Sequence, residues 1–182
     1  MGQYYRIAFK TMNDISTTYN DCRYSGGKIA PSKLLEHSYI HNALMDSVAK
    51  FLFNNPSHIA WVGDYTKQKD LPYEIRYSDV WGYTPLTYEF KECKMFRYDK
   101  KYFINHSKKE YIAFTDYLNQ YKEISMILNP ISLLTAIGNG RGNGDYCGKN
   151  KKYIGCWAWD ILEISSKLPE EYSLTKFYFK YD

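Results

Sequence analysis

The stretch LLTAIGNGRGNGDYCG, residues 133–148, holds five of the chain's eleven glycines. Gly138, Gly140, Gly142 and Gly144 alternate with Asn139, Arg141 and Asn143, and Asp145 follows. Glycine reaches positive φ without strain and lets a ligand approach main-chain N–H groups closely. Arg141 adds a planar fork of donors suited to phosphate or carboxylate. Asp145 adds an acceptor for a ribose hydroxyl or a ligand for a metal ion. Two readings follow. Either Gly138, Asn139, Gly140, Arg141, Gly142 and Asp145 hold a nucleotide-like small molecule, or the stretch is a hairpin loop, for which Asn-Gly is a favoured turn pair. A two-residue turn requires one glycine rather than four, and the surplus favours the ligand. The stretch has no GK[ST] of a P-loop, and it lacks the GxGxxG spacing and βαβ setting of a dinucleotide fingerprint.

Residues 34–42, LLEHSYIHN, carry the second set of chemical groups. Glu36 and His37 are candidate general bases. His37 and His41 stand four apart, so an early helix start would put both imidazoles on one face, a spacing that holds metals. Such a pair must borrow a third ligand from Asp64, His106 or Asp145, and no HExxH order supports it. The alternative is that Ser38 caps the helix and His41 is solvated in its first turn. The lone general base is the stronger reading; no metal site is assigned, and the cofactor stays open. Asp64, in WVGDY at 61–65, ends an apolar strand as either a site carboxylate or a turn residue. His106 falls at the tip of an expected hairpin, the setting of a solvated imidazole. Trp157 and Trp159, two apart on an expected strand, share a face and read as core before they read as a stacking platform. Cys147 becomes a nucleophile only if Arg141 or a histidine lowers its pKa.

The elements that must position these groups follow from periodicity. QYYRIAFK at 3–10 alternates as a first strand, with DISTTYN as its return. SGGKIAPSK is a loop. Ile40, Leu44, Val48, Phe51 and Leu52 recur at helical spacing, predicting an amphipathic helix over about 39–54 with Trp61 also in the core beneath it. HIAWVGDY reads as a buried strand, and 66–88 as a long excursion. KYFINHSKKEYIAF is an aromatic-rich hairpin, and ISMILNPISLL an apolar run interrupted at Asn129-Pro130. YIGCWAWDILEIS and SLTKFYFKYD read as two further strands. The expected class is α+β: one domain over residues 1–182, with a mainly antiparallel sheet and one principal helix.

Composition narrows the function classes. Apolar types make up 45% and charged types 24% of 182 residues, ordinary globular usage that excludes a disordered chain. The net charge is only +4, and the basic runs RYDKKYF and GKNKKY are short and mixed. That distribution argues against duplex nucleic acid as a partner. Aromatic content is high at 18%, with 20 tyrosines, which suit both core and sticky surface. Cys22, Cys93, Cys147 and Cys156 form no CxxC pair. Neither an apolar leader nor a run of about 18 apolar residues is present, so the expectation is a cytoplasmic protein of the host cell, with no membrane partner.

MGQYY, LLEHSY, WVGDY, NHSKKEY, LLTAIGNGRGNGDY and IGCWAWD, spread in order along the chain, resemble a family of small proteins encoded by bacteriophages and prophages. The chain departs from that pattern at Asn143, where the family carries glycine, and His41 is peculiar to it. The resemblance implies a phage setting and assigns no catalytic residue. A small phage protein of this kind implies an accessory role, with counter-defence foremost. Two mechanisms fit. One binds, and in an enzymatic form hydrolyses, a nucleotide-derived signal through the glycine loop with Asp64, Glu36 and His37. The other, anti-CRISPR-like, masks a host defence nuclease or sensor through a tyrosine-rich surface.

Overall fold

The computed structural model describes residues 2–12, 19–20, 23–24, 28–29, 33–81, 93 and 95–180. Its chain order begins with β1 (Tyr5–Thr11), β2 (Tyr19–Asn20), β3 (Arg23–Tyr24) and β4 (Lys28–Ile29). Helix α1 (Ala43–Leu52), strand β5 (Ser57–Gly63) and helix α2 (Tyr77–Trp81) follow. Then come β6 (Tyr102–Asn105), β7 (Glu110–Ala113), α3 (Phe114–Asn119), α4 (Pro130–Thr135), β8 (Ala136–Ile137), β9 (Ile161–Ser165) and β10 (Ser173–Leu174). One sheet runs β10-β7-β6-β9-β5-β1-β2, and β8 joins it beside β5. β3 and β4 pair separately. The class is α+β as expected, but the sheet is mixed. β8 runs parallel to β5 and β10 parallel to β7, whereas the other pairs are antiparallel.

Strand β5 organises the molecule. Its seven residues pair along their whole length with β1, from Thr11–Ser57 to Tyr5–Gly63. The other edge is shared: β9 takes Ser57 and His58, and β8 takes Trp61 and Val62. Between them the Trp159 N–H donates to the Ile59 carbonyl (2.8 Å). Alternation sends Tyr5, Ile7, Phe9, Ile59 and Trp61 into the principal core, which includes Met45, Val48 and Leu52 of α1 and Ile131 and Leu134 of α4. Ala8, Ala60 and Val62 point the other way. They are covered by Leu71, Ile75 and Val80 of the excursion after β5 and by Trp159. The described part of that excursion is therefore a lid on the sheet's second face, while 82–88 lies outside the described residues.

Four local expectations are corrected. Helix α1 starts at Ala43, capped by the Asn42 side chain that accepts the Leu44 N–H. It cannot start at 39, because Tyr39 bridges Leu128 and His41 has φ +66°. Ser38 is buried and is not the cap. The Asn129-Pro130 break is a helix start: Asn129 caps α4 and Pro130 fills its first turn. The expected strand 153–165 is a strand only from Ile161. Before it lies a turn in which the Gly155 and Trp157 N–H groups donate to Leu133 and Leu134, satisfying carbonyls left over at the end of α4. Trp157 and Trp159 accordingly enter different cores. The last expected strand shortens to Ser173–Leu174.

A buried polar chain joins the helices. Asp46, fully buried on α1, accepts the Tyr98 hydroxyl (2.9 Å) and the Phe96 N–H (2.9 Å), and the Asn129 amide donates to the Tyr98 oxygen (3.1 Å). Burial, reinforced by the Asp46 charge, pushes the Tyr98 phenol well above its ordinary value, so it remains a donor. Removing the carboxylate leaves two buried donors unpaired. Asp46→Ala is expected to cost about 3 kcal/mol or more in urea unfolding, and Tyr98→Phe about 1–3 kcal/mol.

Candidate functional site

The glycine loop folds around its own carboxylate. One Asp145 oxygen accepts the N–H groups of Gly140 (2.6 Å), Arg141 (2.8 Å) and Gly142 (3.0 Å). The other accepts the Tyr5 hydroxyl (2.7 Å). Burial first, then the hydrogen bond to Asp145, pushes the Tyr5 phenol far above its ordinary range. Asn139 closes the ring, its side chain accepting the Tyr146 N–H (2.8 Å) and donating to the Tyr146 carbonyl (2.9 Å). Three successive N–H groups converging on one carboxylate form an anion nest, and the anion is internal.

Gly140 and Gly142 show two separate reasons for glycine in this loop. Gly140 has φ +92°, a region that favours glycine. Gly142 is packed against the chain start: a Cβ there would lie 2.7 Å from the Gln3 Cβ and 2.9 Å from its main-chain nitrogen. The Gln3 N–H donates to the Asn143 carbonyl (3.0 Å), fastening the loop to the residues before β1.

Arg141 turns outward. Its guanidinium donates to the Tyr65 carbonyl (2.9 Å) and forms an ion pair with Asp70 (2.6 Å). That bond holds the Asp70 carboxyl below the usual carboxylate range. Asp64 accepts the Tyr4 N–H (3.2 Å), and its carbonyl accepts the Tyr77 hydroxyl (2.6 Å). Tyr5 bonds Asp145 and pairs with Gly63 next to Asp64, and Arg141 bonds the Tyr65 carbonyl, so Asp64, Arg141 and Asp145 share one end of the sheet.

The 33–37 segment approaches the same loop from its Gly144 side, through Lys33. A Cβ on Gly144 would meet the Lys33 side chain at 3.6 Å. Glu36 is exposed and pairs with Lys33 (2.7 Å), and the His37 Nδ1 accepts the Lys33 N–H (3.1 Å). Glu36 and His37 thus flank Lys33, and neither forms a hydrogen bond or ion pair with Arg141 or Asp145. His37 and His41 do not share a helical face, because α1 begins after both. Cys147 is exposed.

No family model matches the chain, and no curated protein or solved structure does either. Function is therefore read from the site itself.

Beside the loop lies a cavity of about 410 Å³, lined by Asp70, Leu71, Pro72, Ile137, Gly138 and Gly155 among others. Its lining includes Ala136 and Ile137 of β8, which pairs in parallel with the end of β5. Spacing alone missed Tyr5, Gln3, Asp70 and Lys33. None carries a motif, and each meets its partner across 71 to 140 positions except Lys33, whose i,i+3 pairing with Glu36 is legible in the sequence.

The nest is directly testable. Asp145→Ala strands three N–H groups and a phenol and is expected to cost about 3 kcal/mol or more in chemical denaturation. Asp145→Asn should cost less, because an amide oxygen keeps the three N–H bonds while the Tyr5 hydroxyl turns to accept from the amide nitrogen. Gly142→Ala should destabilise by about 1–3 kcal/mol through overpacking on Gln3.

Proposed function

We propose that this is a phage-encoded accessory protein that acts by binding, presenting the face around the glycine loop to a host defence protein. One observation carries the reading: the loop's converging N–H groups close on Asp145, which makes the loop a stiff projection in place of an open cradle. Tyr4, 40% exposed, and Tyr65, 36% exposed, stand beside it, and Arg141 is held between Tyr65 and Asp70. Tyrosine and arginine held in place before contact lose little freedom on binding and dominate protein interfaces. The phage setting rests on the sequence resemblance, and counter-defence on that setting.

A nucleotide-like ligand is the second reading, favoured by the cavity beside the paired ends of β5 and β8. Ligands of open sheets favour the crevice at the carboxyl ends of parallel strands. Under this reading Gly138 and Asp70 line the site, Arg141 reaches it through Asp70, and Glu36 and His37 lie outside it.

The two readings separate in one set of measurements. In cells carrying a defence system that the protein counters, wild type restores phage plating. The double variant Tyr4→Ser/Tyr65→Ser is expected to lose at least tenfold of that effect with an unchanged Tm. Full potency of the double variant overturns the interface reading. Stabilisation of about 2.7 kcal/mol by one member of a nucleotide panel, at a hundredfold excess over its Kd, moves the function to the cavity.

A further inference from the structure

A second chemical constellation lies at the other side of the sheet. His106 follows β6, and its Nε2 lies 2.8 Å from Glu163 on β9 while its Nδ1 lies 3.1 Å from the Tyr172 hydroxyl just before β10. The carboxylate is an acceptor only, so Nε2 carries the ring proton and Nδ1 accepts the Tyr172 O–H. Glu163 orients the imidazole, the imidazole takes a proton, and a phenol supplies the nucleophilic oxygen. This is the order of an activated-nucleophile triad. All three side chains are half-buried, so they are both held and reachable.

A cavity opens farther along the same face of the sheet, its near end at Tyr111 and Leu174, the latter two residues past Tyr172. Tyr102, Ile104 and His106 alternate onto one face, with Ile104 opposite Tyr111 and Glu163. Leu174 pairs with Tyr111 from β10 and, like Tyr172, belongs to that face. The cavity, of about 340 Å³, is lined by Tyr102, Tyr111, Leu168 and Leu174, with Lys100 and Lys101 also contributing. Tyr102 and Tyr111 meet edge to face, their ring centroids 5.6 Å apart. Such walls take a flat aromatic group.

We propose that Tyr172, His106 and Glu163 form an acyl-transfer site for aryl esters, with the aryl group seated against Tyr111 and Leu174 at the near end of the cavity. The Tyr172 oxygen attacks the ester carbonyl carbon while its proton passes to Nδ1 of His106. The bond from that carbon to the aryl oxygen breaks, and the aryloxide leaves with the proton from His106. Water, deprotonated in turn by His106, then cleaves the tyrosyl ester and restores the phenol. Tyr172 and His106 are the catalytic residues; Glu163 is a positioning residue that acts through His106.

The test uses the full chain with p-nitrophenyl acetate. The expected result is a burst of about one p-nitrophenolate per chain and an acetyl group on Tyr172 by peptide mass spectrometry. Tyr172→Phe, checked for an unchanged Tm, should abolish the burst, and Glu163→Gln should slow it by about tenfold or more, a loss that Glu163→Asp partly restores. No burst, equal bursts from wild type and Tyr172→Phe, or acetylation spread over lysines and the fully exposed Tyr73 would overturn the proposal.

Discussion

The carboxylate of Asp145 is the point on which the glycine-loop end of the molecule depends. It gathers three N–H groups from its own loop and one hydroxyl from β1, across 140 positions of sequence. A carboxylate only 7% exposed would be costly alone, and four donors make the burial tenable. The geometry then propagates. Curling residues 140–142 toward Asp145 points the Arg141 side chain outward to Tyr65 and Asp70. It also presses Gly142 onto Gln3, fixing the chain just before β1. The alternation of glycines, read as room for a ligand, is room for the loop's own side chain.

This explains what the sequence disclosed and what it withheld. The α+β class, α1, β5 and the β6–β7 hairpin are legible because periodicity reports them locally. The turn before β9 is not: YIGCWAWD carries the aromatic composition of a strand, yet its N–H groups complete α4 and β5 instead. The site shows the same division. Residue types were readable, since Arg141, Asp145 and Asp64 do lie at one end of the sheet. Whether Asp145 meets a ligand or its own backbone is decided by main-chain curvature, which no side-chain spacing encodes. His106 is the sharper case. A hairpin tip suggests a solvated imidazole, but Glu163 and Tyr172 reach it from 57 and 66 positions away.

The two constellations sit on opposite flanks of one sheet. The nest borders β1 and the ends of β5 and β8, whereas the His106 relay belongs to β6, β9 and the segment entering β10. They share no residue and no hydrogen-bond partner, so substitutions in one should add to those in the other. Among the described residues no helix is long and apolar enough to cross a membrane.

The shared edge of β5 also dictates an order of assembly. Its partners arrive from residues 5–11, 136–137 and 161–165, and every one of these contacts closes a long loop before it returns any stabilisation. β8 and β9 divide a single row of main-chain groups, so residues 138–160 between them must reach their final path before either half is secure. Trp159, at φ +65°, sits at that division and adopts a costly conformation that only a completed β5 repays. Pairings this far apart in sequence belong to the topologies that nucleate slowly.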